Sequence, residues 1–227
     1  MQSITLRKVK TFNITGTLSI TDTKGDQIFG SIALQPGSYI VNGKSFVKYI
    51  GILNNYYEDA IDVEIEGVLR HVDKYQKTES FDIFYSREAE IILVFAGTRQ
   101  AKSFLDQLTN NYPDDVELDN YDFTFPDITT DAVNNKALFF NVTDDEHVDS
   151  MAAFGDDVDQ NVDVSSAIDE RRATYLMAQM DIGSTSYTLG FSKKSAIVIY
   201  QTMTVTTSEN AYLQLAIDTL QLIKVLK

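Results

Sequence analysis

Ser38-Tyr39-Ile40-Val41-Asn42-Gly43-Lys44-Ser45-Phe46-Val47 reads as a β-hairpin. Asn-Gly is the strongest short signal for a two-residue turn, because both residues tolerate the positive φ that such a turn needs. Residues 38–41 and 45–53 are then antiparallel strands. Working towards the N-terminus, residues 27–34 and 16–21 flank a Lys24-Gly25-Asp26 turn, and residues 4–13 alternate in the period of a strand. Towards the C-terminus a polar bend at 54–59 precedes Ile61, Val63 and Ile65, which alternate with Asp62, Glu64 and Glu66 as in a strand with one wet face. Strands at 81–85 and 91–96 lead into a helix. Thr98 is placed as its N-cap, Ala101, Phe104, Leu105 and Leu108 form its apolar stripe, and Asn110-Asn111-Tyr112-Pro113 stops it.

The same order returns near the end of the chain. Residues 80–93 align without a gap on residues 186–199, matching Ser86 with Ser192, Arg87 with Lys193 and Ile91 with Ile197. A helix follows again, with Thr206 and Glu209 spaced as a capping box and Leu213, Ala216, Ile217, Leu220 and Ile223 on one face. Tyr212, Leu215, Leu222 and Leu226 widen that arc, so the helix is buried centrally or covered by a partner, which includes a homo-oligomer joined through it. The fold class is α+β, an antiparallel meander with a few helices and a possible duplicated hairpin-plus-helix unit. The boundaries that follow are an N-terminal β-meander over 1–60 and an α+β region over 61–227, or one continuous domain. Between 127 and 172 the pattern suggests short helices at 131–136 and 149–154, and residues 174–180 read as strand or as the end of a helix begun near Ser165.

Charge is distributed unevenly. The 227 residues carry a net charge of −14, yet residues 103–170 hold 18 acids and the single base Lys136, whereas the rest of the chain is slightly basic. There is no cysteine, so nothing demands an oxidising compartment. Residues 1–11 lack the apolar block of a secretory signal, and the longest apolar run, 91–96, is too short to span a bilayer. The expectation is a soluble, cytoplasmic protein without membrane contact.

Four patterns bear on chemistry. Residues 96–103 resemble a Walker A loop, but Ala96 and Ala101 replace both glycines. The two histidines share a tripeptide, His71-Val72-Asp73 and His147-Val148-Asp149. This is similar to the two-histidine phosphoesterases, with Asp73 and Asp149 where those carry Ser or Thr, and to the H-x-[DE] element of non-haem iron enzymes. That resemblance implies a phosphodiesterase-like or metal-assisted hydrolase built on these four residues. Asp157, Asp159, Asn161 and Asp163 resemble the opening of an EF-hand loop, but Val162 stands where its glycine belongs and Ile168 where its bidentate glutamate belongs. Pro126-Asp127, Asp131 and Lys136 resemble a metal-dependent nuclease without its [DE]-x-K pair. No cofactor is expected.

The leading expectation comes from the acids. Asp115, Glu117, Asp119 and Asp122 interleave with Tyr121, Phe123 and Phe125, and Asp156, Asp157 and Asp159 continue the charge. Such a surface suits a non-catalytic interaction module or accessory subunit that meets a basic partner, with the aromatics as anchors. A nucleic-acid-binding protein is one such partner. Direct nucleic-acid binding through this region is disfavoured, since phosphates would meet like charge.

Overall fold

The computed structural model describes residues 1–22, 25, 27–143, 145–203 and 210–226. Lys24 and Asp26 of the expected turn, and Thr206 and Glu209 of the expected capping box, lie outside the described residues. Strand β1 (Gln2–Phe12) stands in the middle of a 12-stranded, fully antiparallel sheet. On one side of it follow β8 (Ile91–Val94), β7 (Tyr75–Ser86), β4 (Lys44–Tyr57), β3 (Ile28–Val41) and β2 (Thr17–Thr21). On the other follow β14 (Ala196–Ile199), β13 (Thr185–Ser192), β12 (Ala173–Ile182), β10 (Asn134–Asn141) and β11 (Ser150–Phe154). The short β9 (Val116–Asp119) pairs with the far end of β1, and β5 (Ile61–Ile65) with β6 (Val68–Val72) forms a separate two-stranded hairpin. The meander and the α+β class are as expected; the residue 60/61 boundary falls inside the segment joining β4 to β7, which are paired from Val47 to Tyr57.

The two hairpins flanking β1 are equivalent, but not in the gapless register. Ser86 pairs with Ile91 across a four-residue turn, and Ser192 pairs with Ala196 across a three-residue turn. Each turn ends on a left-handed residue, Glu90 (φ 49°) or Ser195 (φ 61°). Each of these turns its carbonyl onto β1, accepting from Val9 N–H and Leu6 N–H respectively, both at 2.8 Å. Ile91 therefore corresponds to Ala196, and the match to Ile197 is out by one residue.

Alternation along β1 sends Ile4 and Leu6 to one face and Thr5, Arg7 and Val9 to the other. Helix α1 (Thr98–Asn111) covers the Val9 face with Ala101, Phe104, Leu105 and Leu108. Its N-cap is Gly97, with Thr98 as first helical residue, so the expected threonine cap is not made. At its other end Asn111 Oδ1 accepts from Thr21 N–H (2.9 Å) and Nδ2 donates to Thr21 O (3.1 Å), which ties the helix to the outer strand β2. Helix α4 (Ala211–Leu222) belongs to the core on the opposite face, with Leu213, Leu215, Ala216, Ile217 and Leu220 all buried. Most of its wide apolar arc is thus occupied within its own chain, with Leu222 left exposed, so little apolar surface remains on it for a homo-oligomer joined through it. Strand β8 lies between the two layers and is buried on both faces.

Two expected helices are strands. Residues 150–154 form β11, where Met151 and Ala153 share the face of Phe140 and Leu138, and residues 134–141 form β10. The helices in this region are α2 (Phe125–Asp131), begun by Pro126 where a missing N–H costs nothing, and α3 (Val162–Asp169). The polar bend also begins later than expected, because β4 runs on to Tyr57, stacked 4.9 Å from Tyr75.

Phe104 is fully buried and meets Phe81 edge-on at 5.0 Å. Phe104→Ala is expected to cost about 3–5 kcal/mol. Phe154→Ala, at a ring 69% exposed, should stay near zero. Denaturant midpoints at unchanged slope measure both.

Candidate functional site

The acids of the middle segment are carried by a layer over β10 and β12, where α2, a 3-10 turn (Val158–Gln160) and α3 bury Ile128, Val158, Val164 and Ala167. Asp127, Asp156, Asp157, Asp163, Asp169 and Glu170 are exposed on this layer. Among the described residues two bases answer them. Lys136 bonds Asp156 and holds its carboxyl below the usual carboxylate range, helped by Asn134. Arg172 bonds Glu170 (2.7 Å) and lowers it likewise. Asp115, Glu117, Asp119 and Asp122 sit elsewhere, on and around β9, where Lys10 bridges Glu117 (2.9 Å) and Asp119 (3.0 Å).

The three aromatics assigned as anchors are core. Tyr121, Phe123 and Phe125 are 9% exposed or less, because alternation with acids gives the segment one wet and one dry side, and the rings take the dry one. Phe123 packs edge-on against Phe191 at 5.8 Å. Burial, with Glu90 nearby, pushes the Tyr121 phenol up to about 12. Apolar groups that do reach solvent on the acidic layer are Val133 and Val162, the latter 81% exposed in the first turn of α3.

The histidines are not brought together. His71 lies on β6, its Nδ1 2.8 Å from Asp62 and its Nε2 3.3 Å from Asp73. His147 lies between β10 and β11, where its N–H donates to Asp145 Oδ1 at 2.8 Å, and Asp149 accepts from Val142 N–H through its backbone. Five strands, β12, β13, β14, β1 and β8, separate β10 from β7 in the sheet. The paired-histidine arrangement that a phosphodiesterase requires is therefore not formed.

Nor do the EF-hand-like oxygens converge. Asn161 Oδ1 caps α3, accepting from Asp163 N–H (3.0 Å) and Val164 N–H (3.3 Å). Asp159 Oδ1 accepts from the buried Asn135 amide (2.9 Å), and Asp157 is the left-handed residue that starts the 3-10 turn. Among the described residues no group of three or more His, Asp or Glu side chains is placed to hold a metal ion. The Walker-like segment is an ordinary strand-to-helix passage with Ala101 in the core.

Two features escaped the sequence reading. One is the return strand β6, which makes a hairpin of the expected strand at 61–65 and is signalled by Glu66-Gly67, both at positive φ. The other is an open cleft of about 550 Å³ between α1 and the β13–β14 turn, lined by Arg99, Lys102, Ser103, Asp106, Ser192 and Lys194. Lys102 is bonded to Asp106, and Arg99 and Lys194 make no ion pair among the described residues. Arg99 and Lys194 are 95 positions apart in the chain, so only the fold joins them. Among the described residues no helix is long and apolar enough to cross a membrane.

The depressed Asp156 carboxyl sets a pH dependence. A carboxyl whose folded pKa lies below its unfolded value stabilises the fold above the unfolded value and loses that contribution as pH falls through the folded one. Lys136→Met should move the Asp156 titration, followed by NMR, up towards the usual carboxylate range and flatten the loss of stability on acidification. No protein-family model matches the chain, and no curated protein matches it.

Proposed function

We propose that the chain is a non-catalytic interaction module or accessory subunit whose α2–α3 layer docks a basic protein surface. The observation that carries the reading is the concentration of exposed carboxylates on that one layer, with only Lys136 and Arg172 paired to them among the described residues. Unpaired like charge at this density weakens the fold by self-repulsion and is offset when a cationic surface arrives. Val133 and Val162 supply apolar contact in place of the buried aromatics. Long-range attraction then sets the association rate and makes it fall with ionic strength. The expected partner is a basic protein, with nucleic-acid-binding proteins as the leading class.

The test uses charge reversal at positions without structural duties. Asp159 is unsuitable, since Asp159→Lys would strip the buried Asn135 amide of its acceptor. Asp157 holds a left-handed backbone that lysine adopts poorly. Asp156 is paired with Lys136 and Asn134 and is left in place as well. Asp127→Lys, Asp163→Lys and Asp169→Lys combined should abolish low-salt capture of basic proteins from the native cell by the immobilised chain, as high salt does for the unaltered chain. Capture that survives the triple reversal would overturn the reading.

A further inference from the structure

The β5–β6 hairpin is a second surface, independent of the acidic layer. Its cross-strand pairs place Ile61, Val63, Ile65, Val68 and Val72 on one side with Arg70, and Asp62, Glu64, Leu69 and His71 on the other. None of these aliphatic side chains joins either core cluster, and Ile65, Val68 and Leu69 are 47, 55 and 68% exposed. An isolated two-stranded hairpin is marginal in water, and an apolar side left bare on one is an unmet contact. The arm is also acidic. Residues 58–74 hold six acids against Arg70 and Lys74, and Glu64 and Glu66 near its tip have no base beside them among the described residues.

A complementary surface exists on the same molecule. On the C-terminal half of the sheet, α2, α3 and α4 belong to the core on one face. The other face presents Phe139, Tyr175 and Met177 without a helix over them among the described residues. Phe139 meets Tyr175 edge-on at 5.8 Å, and the Tyr175 hydroxyl lies 2.8 Å from that of Tyr200. Tyr175 stands opposite Ser192, beside the cleft that holds Arg99 and Lys194. From β13 to β10 is two strand spacings, about 10 Å, and a five-residue hairpin is about 17 Å long, so one arm covers the aromatic strip and reaches the cations together.

We propose that the arm of one copy docks on this bare sheet face of a second copy, its aliphatic side on Phe139, Tyr175 and Met177 and its acidic tip on Arg99 and Lys194. The contact joins two different surfaces, so it is heterologous and propagates into a ring or an open filament.

Sedimentation velocity across a concentration series tests it. The unaltered chain should associate, less so at high salt. Ile65→Asp with Val68→Asp, and separately Arg99→Glu with Lys194→Glu, should each weaken association at least about tenfold, with thermal melts showing both variants folded. Mixed together, the two variants should form a one-to-one complex, because the cation variant keeps a working arm and the arm variant keeps a working face. A third chain with residues 59–73 replaced by Asn-Gly should behave as the arm variant does, and it carries the test if the aspartates disturb folding. An unaltered chain that stays monomeric overturns the proposal. So does assembly that survives loss of the arm, which would point to the acidic layer as occupant of the cleft. Self-association of the cation variant, the mark of arm-to-arm pairing, overturns it too, as does a mixture that yields no complex.

Discussion

Strand β1 gives up both of its edges within the first twelve residues. Gln2 to Thr5 pair with β14, Thr5 to Lys8 with β8, and Lys8 to Phe12 with β9. Each half of the sheet therefore ends on a strand that needs β1 to satisfy its backbone, and each faces a buried environment where an unpaired N–H or C=O is costly. The left-handed residues Glu90 and Ser195 fit this requirement. A left-handed conformation disfavours a side chain by roughly 1–2 kcal/mol, and at both places it turns a carbonyl onto a β1 amide.

Around that strand the first three strands outward follow in the same order on either side, β8, β7, β4 and β14, β13, β12, which amounts to a two-fold rotation about β1; beyond them β3 and β2 run back along the chain, whereas β10 is followed outward by β11. Because the rotation exchanges the faces of the sheet, α1 and α4 lie on opposite ones. The halves differ in what has been inserted. The first carries the β5–β6 arm between β4 and β7, and the second carries the acidic layer around α2 and α3. Each proposed contact brings an inserted element, the arm or the acidic layer, to its partner surface, while the repeated strands and helices build the core.

Elements with a single strong local cause were legible. Asn42-Gly43 gave its hairpin, and the stripes of α1 and α4 gave two helices, since turn chemistry and a 3.6-residue period need no knowledge of neighbours. Residues 149–154 did not, because Met151 and Phe154 are exposed on an edge strand and present no clean alternation. The repeat was visible and its register was not, since a one-residue difference between two turns is hidden among Ile and Val. Tyr121, Phe123 and Phe125 carried a correct alternation with the wrong side assigned to water: a two-residue period shows that the sides differ, and only packing against Phe191 and its neighbours shows which is dry. The cleft cations were beyond any reading of the chain, because Arg99 and Lys194 belong to different halves of the pseudo-symmetric pair.

The same rotation accounts for how the charge is arranged. The acidic layer lies on the α4 face of the sheet, whereas Arg99, Lys102 and Lys194 stand where the α1 face passes from its covered to its bare half. A chain with a net charge of −14 thus keeps a cluster of positive charge on the face away from its acidic layer. Like charges spread evenly would hold copies apart in every orientation; segregated ones repel in most orientations and attract in the one that brings an acidic element to the cations. Hydrophobic contact between exposed aliphatics and aromatics is indifferent to orientation by itself, so in this molecule the placement of charge is what selects a single geometry from the contacts that bare apolar surface would otherwise allow.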